Sequence, residues 1–299
     1  MDFRFTEDQQ DLIDAAKAVF DGENTVERMR AIAAGDEVTD LWPQFAELGL
    51  IGIMASEAVG GLDQTLVVMT GIAEAAGYAG LPEPLVEVAG ITVPLADADN
   101  LEGIISGESL SAVAANLRPY RDARLGTGEA VKSIDPLRKL VKKVGDNDTP
   151  QADFHGAVLS AAQLVGLSAR MVDMSVEYAK DRHQFGKPIG SFQAIKHHLA
   201  TVYTQIEFTR PMVHLAALQG GRAVHTAKIA AIDTAMLAAE TAIQVHGGMG
   251  YTYEVDLHMF MKRAWALCGE WGDRNYHMKK LEDLVLNGDE QIGAGTTFN

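Results

Sequence analysis

The chain has 299 residues, 47% of them hydrophobic, which suits about two soluble domains with buried cores. Twenty-five basic against 41 acidic residues leave a net charge of −16, which argues against a general nucleic-acid binder and against an anionic membrane surface. A single cysteine, Cys268, excludes an internal disulfide and fits a reducing cytoplasm. No apolar run reaches the length of a membrane span, and the acidic start MDFRFTEDQQ has no signal-peptide character.

The first hundred residues read as helices. Thr6, followed by Asp8 and Gln9, suits a cap, and Leu12, Ile13, Ala16, Val19 and Phe20 form a helical stripe. A polar helix over 26–34 follows, then an apolar face of Leu41, Phe45, Leu48 and Leu50. The run LIGIMASEAVGG over 50–61 is too short for a long helix and ends in paired glycines. Helices are expected over 66–79 and 82–95, and LEGIISGE over 101–108 closes the segment. In the stretch 109–150, residues 111–116 and 123–126 suit short strands. Asp135–Val144, with Arg138, Lys139, Lys142 and Lys143, reads as a solvated basic helix or loop, and GDNDTP over 145–150 as a linker.

From residue 153 the periodicity is strong. Val158, Ala162, Val165, Ala169, Val172, Val176 and Ala179 recur at alternating steps of four and three, and Phe192, Ile195, Leu199, Val202, Ile206 and Val213 repeat the pattern. An alanine-rich helix over 226–245 and a further one over 257–271 complete an antiparallel four-helix bundle. Between the first two lies DRHQFGKPIGSFQA, over 181–194. Arg182 offers a planar fork of donors suited to phosphate, His183 and Gln184 add donors, Phe185 a flat apolar face, and Gly186 and Pro188 a turn. Gln193 opens the next helix, where N–H groups favour negative charge. An ordinary polar interhelical loop is the competing reading. QVHGGMGY over 244–251 is either a plain helix cap and loop or a close backbone approach to a ligand. His197 and His198 lack partners at metal spacing and read as exposed or satisfied side chains.

The pattern R-x-x-F-G-x-x-I-x-x-x-Q, followed in order by QVHGGMGY, resembles the acyl-CoA dehydrogenase family of flavoproteins. The resemblance is close over 153–275 and loose over the N-terminal part, where Ser56 stands at a position usually held by proline. It implies a mainly α, acyl-CoA dehydrogenase-like fold: a helical domain over 1–108, a reduced middle β region over 109–150, and a C-terminal four-helix bundle over 151–299. It also implies FAD as cofactor, with Arg182, His183, Gln184, Phe185, Gln193, Gln244, Val245, His246, Gly247 and Gly248 contacting the FAD of a neighbouring subunit.

Such enzymes desaturate an acyl-CoA thioester: a carboxylate removes the α-proton while the β-hydrogen leaves as hydride to the flavin. Counting from the matched motifs places the two positions that hold this carboxylate at Trp271 and Gly156. Glu270, one residue early, is either a displaced base or an exposed helix-end carboxylate, and Trp271 either plugs a vestigial acyl pocket or anchors an interface. The stretch over 109–150 lacks the motif that holds the flavin ring. The resemblance therefore implies a small subunit of a cytoplasmic α2β2 enzyme, similar to those acting on steroid side-chain CoA thioesters. A larger acyl-CoA dehydrogenase-like partner supplies the catalytic Glu and most of the acyl-CoA site. A self-sufficient homo-oligomer using Glu270 and a flavin-free assembly scaffold are the alternatives.

Overall fold

The computed structural model describes residues 4–108, 123–125, 129–138, 140–142 and 149–288. Helix α1 (Glu7–Glu23) starts at a capping box: Thr6 Oγ1 accepts from Gln9 N, and the Gln9 side chain accepts from Thr6 N. It buries Ile13, Ala16 and Phe20. Helices α2 (Val26–Ala34) and α3 (Trp42–Glu47) follow, with Leu41, Phe45 and Leu50 buried. Leu48 departs from the expected apolar face: it lies at the helix C-cap and is exposed. α4 (Leu66–Ala79) is buried along most of its length and spans the expected residues.

The helix expected over 82–95 is instead three short pieces: α5 (Leu85–Glu87), a π turn (Val88–Thr92) and a 3₁₀ turn (Val93–Leu95). Pro94 removes a backbone donor there and Pro84 sits at the entry, so a regular ladder cannot run through. α6 (Ala98–Ile105) completes this part.

A three-stranded antiparallel sheet, ordered β1 (Ala123–Leu125), β3 (Leu140–Lys142), β2 (Ala130–Val131), represents the middle region. The strand expected over 111–116 lies outside the described residues. Where it is described, the expected solvated basic segment differs: Asp135 and Arg138 are buried, because Arg263, Glu87 and Glu270 supply counter-charges from the helices, and 140–142 form a strand; residues 139, 143 and 144 lie outside the described residues.

Helix α7 (Pro150–Asp181) begins inside the expected linker, with Thr149 accepting from Ala152 N and Pro150 in the first turn. It packs with α8 (Gln193–Gln219), α9 (Gly221–His246) and α10 (Leu257–Gly269) along the predicted apolar seams. A further helix, α11 (Arg274–Asn287), lies against α9 and was not anticipated. α4 crosses α7 backbone to backbone: a Cβ on Gly77 would lie 2.2 Å from the Gln163 carbonyl oxygen, and one on Gly166 1.9 Å from that of Glu74. This crossing locks the N-terminal helices to the bundle. Among the described residues no helix is long and apolar enough to cross a membrane.

Candidate functional site

α7 ends at Arg182, and the chain turns back through a two-residue hairpin, β4 (His183–Gln184) paired with β5 (Lys187–Pro188). Phe185 and Gly186 form the turn with φ of 54° and 80°, the backbone that the tightest hairpins need. Ile189 N donates to Arg182 O at 2.8 Å and closes the base. The tip faces solvent: Phe185 is 92% exposed, and Arg182, His183, Gln184 and Gln193 are exposed beside it. The Arg182 guanidinium has no protein partner among the described residues, so its donor fork is free.

The glycine turn lies at the same end of the bundle. Val245 packs with Ala179 and Leu199 in a small cluster beneath the hairpin, joining the end of α9 to the end of α7. The His246 ring stacks on Tyr178 at 4.3 Å and donates from Nδ1 to Ala242 O at 2.8 Å, and burial lowers its pKa. Val245 and His246 therefore build the platform, and their side chains face inward. Gln244, Gly247 and Gly248 face out, and a Cβ on either glycine would meet nothing within 4 Å. Both motifs thus present exposed polar groups and bare backbone away from the chain, with His183 Nδ1 held by Asp181 O at 3.0 Å.

The two positions where the resemblance places a base meet at another point. Trp271 is 5% exposed, and its ring lies against Gly156: a Cβ there would sit 2.0 Å from Trp271 Cδ2. Trp271 holds a left-handed backbone, φ 56°, which costs a residue with a Cβ and persists only where packing enforces it. Neither matched base position carries a carboxylate, and the Trp271 ring covers Gly156. Asp273 is spent as the cap of α11, accepting from Tyr276 N at 2.8 Å.

Glu270 is not an exposed helix-end carboxylate. It is 4% exposed at the C-cap of α10 and belongs to a buried charge cluster. Arg138 Nη2 donates to Glu87 Oε1 at 2.7 Å and lies 3.0 Å from Glu270 Oε2. The second contact is a charge pair whose angles fall outside a hydrogen bond, so that oxygen accepts none. Arg263 donates to Asp135 and to Leu81 O, and Gln163 reaches Glu87 Oε1. Burial pushes the Glu270 carboxyl up to about 7, against the pull of Arg138. Fully buried Lys228 donates to Ser160 Oγ at 2.6 Å and to Leu267 O at 2.9 Å, and burial lowers its pKa to about 8. Sequence reasoning assigned Lys228 nothing and missed this network, since its members are scattered over 180 positions of chain.

On the far side of Trp271 a cleft of 420 Å³ opens between α7, α9 and α11. Phe154, Val224 and Trp271 form apolar walls, and Asp153, His225, Tyr276, His277 and Lys280 contribute polar groups. Glu270 does not line it. The two histidines went unnoticed in the sequence because α11 itself did. His197 and His198 are exposed on α8, as expected, and no metal-holding cluster occurs among the described residues.

Comparison with known proteins fits this arrangement. Residues 6–97 match the acyl-CoA dehydrogenase N-terminal domain and residues 154–281 the acyl-CoA dehydrogenase C-terminal domain. Acyl-CoA dehydrogenase IpdE2 of Mycobacterium tuberculosis is 31% identical over 267 residues, 79% of this chain and 84% of its own. The steroid ACAD Tcur3481–Tcur3483 superposes with a TM-score of 0.83 at 21% identity, covering 94% of this chain and 98% of that one. The ChsE4–ChsE5 complex of Mycobacterium tuberculosis gives 0.81 at 20%, covering 98% and 100%. The FAD complex of PigA gives 0.77 at 19%, covering 96% and 100%. With both family domains matched in order and one relative above 30% identity, this chain belongs to the acyl-CoA dehydrogenase family.

Proposed function

We propose that this chain is one subunit of a heteromeric acyl-CoA dehydrogenase, built as α2β2, that desaturates an acyl-CoA thioester with a steroid-derived acyl part. The cofactor is FAD. A larger family member contributes the flavin-ring site, the catalytic Glu and most of the acyl-CoA pocket. In this reading residues 1–108, 109–150 and 151–299 form the helical domain, the reduced middle region and the bundle, and the assembly is cytoplasmic. The names of the ChsE4–ChsE5 complex and the Tcur3481–Tcur3483 steroid ACAD support a paired assembly and the substrate class.

The observation that carries the proposal is the packing of Trp271 against Gly156, which leaves no carboxylate at either matched base position. What it retains faces outward. Arg182 suits the pyrophosphate with two charge-assisted donors, and Gln184, Gln193 and Gln244 add neutral ones. Phe185 offers a face for an aromatic base, and Gly247 and Gly248 let the backbone approach closely. Bound FAD supplies the hydride acceptor; this chain binds and orients its phosphate half from across the interface. Val245 and His246 serve by supporting the turn.

One observation favours a self-sufficient homo-oligomer: the carboxyl of Glu270 at about 7 suits a general base. Its enclosure by Arg138 and Glu87, away from the cleft, opposes that role. Titration of FAD into the apo-assembly tests the flavin contact. Arg182→Ala should weaken binding about ten- to hundredfold, and Arg182→Lys should recover only part. Equal dissociation constants would remove Arg182 from the flavin site, and no FAD binding by the assembly at all would favour a flavin-free scaffold.

A further inference from the structure

The two histidines in the 420 Å³ cleft form a chain with a fixed direction. His277 Nε2 lies 3.0 Å from the Trp271 carbonyl, which can only accept, so Nε2 carries the proton and Nδ1 the lone pair. His225 Nδ1 lies 2.8 Å from His277 Nδ1 and must therefore donate to it. That places the lone pair of the neutral His225 ring on Nε2. This is the ring's one hydrogen bond among the described residues, so Nε2 is an unengaged acceptor.

Both rings are neutral near pH 7. Burial lowers the pKa of His225, with nearby Lys280 adding to the effect, and burial takes His277 down to about 3. The left-handed backbone at Trp271 belongs to this device, since the His277 ring is oriented by that residue's carbonyl oxygen. The residue that closes the base position also sets the tautomer of a pair facing the opposite space.

We propose that this cleft is a ligand site of the chain itself, and that His225 Nε2 accepts a hydrogen bond from a neutral hydroxyl carried on an apolar ring. The walls set the body of the ligand: Phe154, Val224 and Trp271 offer apolar surface, and the volume lies in the range of small-molecule pockets. The acceptor sets its polar group. A ketone, a thioester or an ionised carboxylate has no donor for Nε2, and the cleft's charged side chains, Asp153 and Lys280, are opposite in sign, so the lining favours neither an anion nor a cation. A hydroxyl satisfies the site without a charge, as second-shell orientation of a histidine does in other polar sites.

The test uses the full-length protein labelled with ¹⁵N-histidine, with cyclohexanol as probe and methylcyclohexane and cyclohexanone as controls. In the free protein, His225 Nε2 should resonate as an unprotonated nitrogen from pH 6.5 to 8. Cyclohexanol should bind saturably and move that resonance toward hydrogen-bonded values, whereas neither control should move it. His225→Leu should weaken cyclohexanol about tenfold and leave methylcyclohexane unchanged. Three results overturn the proposal: a protonated Nε2 in the free protein, no saturable cyclohexanol binding, or equal affinity in His225→Leu. If His225→Leu fails to fold, the nitrogen shifts of the unmutated protein decide alone.

Discussion

Glu270→Gln separates the structural role of this carboxyl from a catalytic one through the pH dependence of stability. In the folded chain burial raises the carboxyl from an ordinary 4.5 to about 7. Between those values the folded state binds more protons than the unfolded state, so stability falls as pH rises through the window. The loss is complete once the pH exceeds the folded value. A difference of about 2.5, at about 1.36 kcal/mol for each, gives about 3 kcal/mol. Glutamine keeps the shape and has no proton to lose. The variant should therefore match the parent near pH 4.5 and exceed it by about 3 kcal/mol above pH 7.5. Urea unfolding at matched pH values reads the difference from the midpoints at constant slope. Parallel stability curves for the two proteins would mean that Glu270 is ionised comfortably beside Arg138, and the burial argument would be wrong. The same variant should keep turnover of the assembled enzyme within severalfold, whereas removing a general base costs about 10²–10⁴-fold.

The packing of Trp271 on Gly156 gives a second test. Gly156→Ala forces a methyl into the ring and should cost about 1–3 kcal/mol, while Trp271→Ala should cost about 3–5 kcal/mol through the cavity it leaves. The double variant should be less destabilised than the two single effects together, as unfolding midpoints will show; strict additivity would mean that the contact is absent. Expressed alone, the chain should carry little FAD, and co-expression with a longer family member should give a yellow complex with fewer flavins than chains. Stoichiometric flavin absorbance on the isolated chain would contradict the division of labour proposed above.

What the sequence revealed and what it hid follow from the range of the interactions. The seams of α7, α8 and α9 are written in local spacing, and so is the capping box at Thr6, so these elements form where periodicity placed them. The hairpin motif was equally legible, because Gly186 and the neighbouring donors lie within a few residues. Arg138 was misread as solvated because its counter-charges stand at positions 87 and 270. Basic side chains look exposed in any local window, and only the fold brings the carboxylates to them. The helix expected over 82–95 failed for a local reason: Pro84 sits at its entry and Pro94 removes a backbone donor near its end. Trp271 shows the intermediate case: the motif count located it, and the structure supplied its contact with Gly156.

The buried charge cluster also constrains how the chain matures during synthesis. Arg138 and Glu87 are 51 positions apart, so they meet early. Asp135 waits for Arg263, 128 positions downstream, and Glu270 comes later still. Until α10 leaves the ribosome, Asp135 lacks its Arg263 partner. Asp135 and Arg138 therefore complete their pairing only once α10 is made, although they precede the bundle in the chain. Slow or interrupted translation after residue 150 would leave this charge cluster incomplete for the longest time.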